Sequence, residues 1–351
     1  YTVCMQFGYS WQAALAAVFV SGVIFIVISV TGLRKMIINA IPQQLKLAIG
    51  AGIGFFIAFI GLKNAGIIVA NESTFVALGN LTDPVVLLAI FGLALTLILI
   101  AKKVTAAVFW GLIGTAVIGV LAGLCGIANM PQLPSSIMQF NFEMPTLGAF
   151  MSGFGELFAH KDFIVVIFSF LFVDFFDTAG TLVAVANRAG LVNEKGELEN
   201  IERALLSDSV GTCVGAVLGT STVTSFVEST SGVEVGGRTG LTAVTTGILF
   251  LLSIVFFPLL SVVTSAVTAP ALIVVGILMA QQLGGIDWDN FIYASTGFMA
   301  IIMMILCYSI SDGIALGFIT YGAVMLGSGK AKEVQPIIWI LDLVFMLYFI
   351  L

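Results

Sequence analysis

Four acidic side chains stand in surroundings that are otherwise apolar. Asp174 and Asp177 lie in FLFVDFFDTAGTLVAVANRAG (170–190), and Glu228 and Glu234 in TSTVTSFVESTSGVEVGGRTG (220–240). In helical geometry Asp174, Asp177, Thr181, Ala184 and Arg188 fall at i, i+3, i+7, i+10 and i+14, on one face. Phe172, Val173, Phe175 and Phe176 point away from that face. An aspartate inside an apolar membrane helix costs about 2.5–3.5 kcal/mol on insertion scales, so by default it marks a site or a pathway. Burial disfavours the charged form of a carboxyl, and a buried carboxyl that can take a proton is a natural proton carrier. An ionised one accepts two parallel hydrogen bonds.

The second stretch reads as strand, break and half-helix. Residues 220–227 are β-branched, aromatic or Ser, which favours extended backbone. Such backbone is tolerated at membrane depth only where protein buries it or a wet cavity borders it. Ser231-Gly232-Val233-Glu234 then fits a capping box, with a short helix from near Gly232 to Gly236-Gly237. Glu228 sits at the break, close to a helix N-terminus that favours negative charge, and Glu234 reads as a cap. Three further acids stand in or near apolar runs. Asp312 lies in the Ser/Gly-rich YSISDGIALGF, which reads as a helix break; Asp208 reads as the start of a helix; Asp342 reads as lying near a membrane edge.

The elements that must position these groups are set by composition. Of 351 residues, 60% are hydrophobic and 9% charged, against about 25% charged in a soluble domain. Apolar runs at 11–31, 47–62, 84–101, 104–125, 163–186, 241–262, 264–280, 291–308 and 313–327 approach or exceed the ~18–20 residues that span a bilayer. The fold class is therefore an all-α polytopic membrane protein, with the lipid bilayer as its first partner. The last run, 337–351, is short. The 38 glycines suit close helix packing and broken helices. The longest polar segment is 187–203; 126–161 reads as an external loop with a short re-entrant or interfacial helix. If 11–31 runs from outside to inside, eleven of the 13 Lys and Arg face the cytoplasm and only Lys63 and Lys161 do not. A net charge of −6 argues against nucleic acid, and one His with four scattered Cys makes neither a metal site nor a disulfide motif. No cofactor is called for.

Several buried carboxylates with few cations repel an anion. They suit a metal cation or a neutral ligand rich in N–H donors, such as the edge of a purine or pyrimidine, with Phe side chains on its flat face. The residues alone do not choose between a nucleobase and a sodium-coupled solute.

FVDFFDTAGTLVAVANRAG and ERALLSDSVGTCVGAVLGTSTVTSFVESTSGVEVGGRTGLTAV closely resemble the AzgA-like purine permeases of the nucleobase:cation symporter-2 family. PQQLKLAIGAGIGFFIAFIGLKNAGIIV and YTVCMQFGYSWQAALAAVFVSG look like the same branch. The resemblance implies a seven-plus-seven inverted-repeat transporter fold with short strands in segments three and ten. On that map the chain begins within segment three, and segments one and two are missing. The core domain takes 1–40 and 162–264; the gate domain takes 41–127 and 265–351; 128–161 is the external loop. Glu228 matches the acid that hydrogen-bonds the base, and Asp177 matches the segment-eight acid. Related uracil permeases carry His where this chain has Thr181, which leaves Asp174, with Asp177, as the proton-coupling group. Phe176, Thr181, Phe226 and Ser229 complete the implied substrate-binding set. The implied activity is import of hypoxanthine, guanine or adenine with a proton, rather than sodium, in a multi-pass protein of the cytoplasmic membrane, with a homodimer as an expected assembly. The rival readings are a sulfate-permease-like anion transporter of the same fold, a pyrimidine, xanthine or urate permease of the wider family, and a channel or receptor. Neither the fold nor the chemistry requires an enzyme.

Overall fold

The computed structural model describes residues 2–32, 40–134, 136–140, 143–191, 201–226, 229–234 and 236–350. Among them seven helical segments are long and apolar enough to cross a membrane. In chain order the elements are α1 (Trp11–Val30), α2 (Gln43–Asn64), a hairpin of β1 (Ile68–Asn71) and β2 (Phe75–Leu78), α3 (Pro84–Ala101) and α4 (Ala107–Leu124). Then follow α5 (Phe150–Ala159), α6 (Phe163–Ala189), α7 (Ile201–Leu218), α8 (Ser229–Glu234) and α9 (Gly240–Ser253), the last running on as a 3-10 helix over Ile254–Val262. The chain closes with α10 (Ser265–Ala280), α11 (Phe291–Leu306), α12 (Ile310–Gly327) and α13 (Pro336–Ile350). Nearly every apolar run of the sequence thus becomes one helix.

The chain divides into two units. The first comprises Tyr1–Gly52, Glu143–Thr230 and Gln282–Leu351. In it α1 packs against α5, α6 and α7, and α12 packs against α6, α11 and α13. Without a hydrophobic force between helices in lipid, small residues and close backbone contact must do the joining. Ala13, Ala16 and Ala17 of α1 accordingly meet Leu157 of α5 and Val166 and Ile167 of α6 in one buried cluster. A Cβ at Gly153 would collide with the backbone of Gln12, and one at Gly22 would meet Cys213 Sγ at 2.7 Å. Phe25 of α1 stacks near Phe175 of α6, with centroids 6.4 Å apart.

Glu156 of α5 ties down the start of α1. Its carboxylate accepts from the Ser10 backbone N–H at 2.7 Å and from Ser10 Oγ–H, while Ser10 Oγ caps the helix by accepting from Ala13 N–H at 3.2 Å. The acid also stands at the positive end of the α1 dipole. The bonds from Ser10 hold the Glu156 carboxyl below the usual carboxylate range.

The second unit comprises Ile53–Phe142 and Ser231–Gln281. Its centre is the triangle of α3, α4 and α10. Thr96 of α3 is seated over Gly111 of α4, and Thr115 of α4 over Gly92 of α3. Each hydroxyl donates 2.7 Å back to a carbonyl of its own helix, Thr96 to Gly92 O and Thr115 to Gly111 O. Both threonines are therefore buried with their polar atoms satisfied. Gly54 and Gly276 bring α2 and α10 into backbone contact. The hairpin is antiparallel, pairing Ile68 with Leu78 and Asn71 with Phe75. Its turn is held by Asn71 Oδ1, which accepts from Ser73 N–H and Thr74 N–H, and by Phe75 at φ 65°.

Two stability predictions follow from these contacts. Gly111→Ala should lower the thermal unfolding temperature of the detergent-solubilised protein. Overpacking costs about 1–3 kcal/mol and outweighs the gain of about 1 kcal/mol in helix propensity. Adding Thr96→Ala should restore much of the loss, and a strictly additive double mutant would contradict the contact. Glu156→Gln should flatten the acid limb of the stability profile. In the native chain the contribution is complete above about pH 4.3, the ordinary Glu value. It fades as pH falls through the lower folded value; thermal melts of both proteins across the acid range measure the difference.

Candidate functional site

The predicted acids of 170–190 fall on α6, as the helical spacing requires. Asp174, Thr178 and Thr181 are buried, at 0%, 0% and 4% exposure, and Asp177 is half-buried. Across from them α7 presents Asp208, Ser209 and Thr212, all buried. Two reciprocal bonds join the helices. Thr212 Oγ1 donates to Asp174 Oδ2 at 3.3 Å, and Thr178 Oγ1 donates to Asp208 Oδ1 at 2.9 Å. Each helix thus offers an Asp and, four residues on, a Thr on the same face. Because the helices run antiparallel, each Asp meets the other's Thr. A hydroxyl donor reduces the cost of burying a carboxylate without neutralising it. The network reaches α1 through Ser209 Oγ and Ser29 Oγ, 3.4 Å apart.

Asp208 is a correction to the sequence reading. It does not open its helix: α7 is already helical from Ile201, so Asp208 is carried two turns inward and turned to α6. The signal was present as D-x-x-x-T, in Asp174–Thr178 and again in Asp208–Thr212.

After α7 the chain leaves helix at Gly219, whose φ of +94° ends the turn, and Thr146 Oγ1–H caps it by donating to Leu218 O at 2.9 Å. Residues 222–226 are non-helical, as their composition predicts, but carry no strand ladder among the described residues. The two-stranded sheet of the chain is the β1–β2 hairpin instead. What holds the segment is α7: Val223 packs over Gly211 and Gly215, and Val223 O accepts from Thr212 Oγ1 at 3.1 Å. The Asp174 carboxylate and the unwound backbone therefore share the single proton of one hydroxyl.

The short helix also differs from the expected capping box. α8 runs over Ser229–Glu234, so Ser231 lies inside it and not at its N-cap. Ser229 N–H bonds to Phe226 O at 3.2 Å, closing a turn ahead of Ser231. The stop comes where expected, with Gly236 at φ +110°. Arg238 donates to Val233 O and, at 2.9 Å, to Gly237 O.

Of the remaining candidates, Phe226 is 64% exposed and Ser229 is exposed at the start of α8. Glu228 lies outside the described residues, as does the side chain of Phe176, whose backbone is in α6. Asp312 stands in the first turn of α12, its N–H capped by Ser309 Oγ at 3.2 Å, so the sequence break is a real one between α11 and α12. Asp342 was expected near a membrane edge; it lies at the middle of α13 and is 4% exposed. Among the described residues no group of three or more His, Cys, Asp or Glu could hold a metal ion.

Comparison with known proteins agrees with this arrangement of helices. The chain is 54% identical over 341 residues to the guanine/hypoxanthine permease PbuG of Bacillus subtilis (strain 168), covering 97% of this chain and 76% of that protein. It is 39% identical over 347 residues to the adenine permease AdeP of Escherichia coli (strain K12), covering 99% and 76%. In fold it is similar to the transmembrane domain of the cyanobacterial bicarbonate transporter BicA, with a TM-score of 0.58, 17% identity and coverage of 88% and 76%. The family model described as "Permease family" (Xan_ur_permease) matches residues 2–316. With paired acids buried between apolar helices and a family match over most of its length, the chain belongs to this permease family and is a multi-pass membrane transporter rather than an enzyme.

Proposed function

We propose that this protein imports purine nucleobases, hypoxanthine, guanine or adenine, across the cytoplasmic membrane by proton symport with alternating access. The observation that carries the reading is its 54% identity over 97% of the chain to a guanine/hypoxanthine permease, joined by adenine permeases at lower identity. The chemistry supports it. Glu228 and Asp177 are assigned to the N–H edge of the base, with Thr181, Phe176, Phe226 and Ser229 around it. Asp174, with Asp177, is assigned the proton. Neutralising these acids lowers the cost of moving the occupied core past the gate. The core is assigned to 1–40 and 162–264 and the gate to 41–127 and 265–351, with a homodimer as the working assembly.

Asp208 adds to this scheme. Its carboxylate takes the Thr178 hydroxyl, so Asp174 and Asp208 are two acids on facing helices, each with one hydroxyl donor across the pair. Such a pair disfavours an anion as cargo and favours a species that arrives with a proton or with N–H donors. The shared fold with a bicarbonate transporter does not alter this, because fold leaves function open.

Two measurements test the reading. Glu228→Gln should abolish uptake of labelled hypoxanthine and guanine and weaken binding about 10- to 100-fold. That corresponds to losing a charged hydrogen bond of about 1.5–3 kcal/mol. Unchanged uptake would remove Glu228 from the site, and uptake of sulfate or bicarbonate in preference to purine would replace the whole assignment. Asp174→Asn should leave purine binding measurable in detergent yet abolish accumulation driven by an inward proton gradient in proteoliposomes. Retained gradient-driven accumulation would clear Asp174 of the coupling role.

A further inference from the structure

α13 carries an acid that the α6–α7 network does not use. Asp342 is 4% exposed in the middle of PIIWILDLVFMLYFI, and its Oδ1 is buried without a hydrogen-bond partner. The side chain is turned to α12, where a Cβ at Gly322 would collide with Asp342 Oδ2. Glycine at 322 is what lets the carboxyl seat. Around the contact Phe318 of α12 and Phe345 of α13 meet edge to face at 5.3 Å, and Phe345 also meets Phe172 of α6 at 4.6 Å. The seat is therefore close-packed and apolar.

Among the described residues no base is paired with this acid. α12 and α13 contain no Lys, Arg or His, and Lys330 and Lys332, in the link between them, are exposed. The buried Tyr321 of α12 feels the charge of Asp342, along with Tyr293 of α11 and Glu333 of the link; Asp312, at the start of α12, is ten residues before Gly322. α6 meets α13 through Phe172, and its Asp174 is bonded to Thr212 of α7. A carboxylate so placed would sit buried among aromatic side chains with one oxygen unbonded, a costly arrangement for a charge. A carboxylic acid in the same place is neutral.

We propose that Asp342 is a proton-binding site built into the α12–α13 contact. The neutral acid seats α13 on Gly322, and losing its proton to water unseats the helix. Binding and release of this proton thereby set the position of α13, independently of the acids on α6 and α7.

The test uses the full chain in nanodiscs, without substrate. Infrared difference spectra across a pH step should show the carbonyl stretch of a buried carboxylic acid vanishing as pH rises, and Asp342→Asn should lack that band. Trp339 lies three residues before Asp342 and close to Gly322. With Trp11, Trp110 and Trp288 replaced by Phe, its emission should shift over the same pH range, and Asp342→Asn should abolish the shift. Gly322→Ala, which fills the seat, should hold Trp339 in the high-pH emission at every pH. An acid band undiminished from the parent's in Asp342→Asn, or an emission shift that persists there, overturns the proposal, as does a Gly322→Ala protein that still titrates like the parent. Neither readout involves transport, so the result stands whatever the cargo proves to be.

Discussion

Where lipid surrounds a chain, every polar group must find its partner within the protein. That constraint explains the α6–α7 pair. Two acids are buried between these helices, and each is met by a hydroxyl from the other helix. The Thr212 hydroxyl also serves the carbonyl of Val223, so the unwound stretch after α7 draws on the same donor as Asp174. Acid, hydroxyl and irregular backbone form one polar network, buried at Asp174, Thr178, Asp208 and Thr212.

The same constraint shapes the second unit in a milder form. Thr96 and Thr115 donate back to carbonyls of their own helices, and the same satisfied hydroxyl oxygens are the atoms that press closest on the opposing glycines. The contact between α3 and α4 therefore buries two hydroxyls without leaving either unsatisfied. Helices that gain nothing from leaving water are held by closeness alone, and glycine opposite a compact β-branched side chain gives that closeness.

Much of this was legible in the sequence. Apolar runs become helices because no other structure satisfies backbone in lipid, and the i, i+3, i+7 spacing of Asp174, Asp177 and Thr181 placed them on α6 correctly. The non-helical stretch before α8 was legible from β-branching. What escaped was set by partners distant in sequence. Asp208 reads as a helix opener until Thr178 is seen thirty residues away, and Asp342 reads as peripheral until Gly322 is seen beneath it. The early start of α8 comes with a turn bond from Ser229 N–H to Phe226 O, ahead of the expected cap at Ser231. Local patterns report which groups prefer to be buried; they do not report which neighbour receives them.

The antiparallel register of α6 and α7 has a mechanical meaning. Suppose the helices slid past each other by one turn, about 5.4 Å. In one direction Asp174 would come to face Asp208, acid against acid; in the other, Thr178 would face Thr212 and both acids would lose these hydroxyl donors. Either slide breaks both hydroxyl–carboxylate bonds at once, so the pair acts as a lock on the register. A motion that kept both bonds would carry α6 and α7 together as one stiff beam, with any bending left to other parts of the chain.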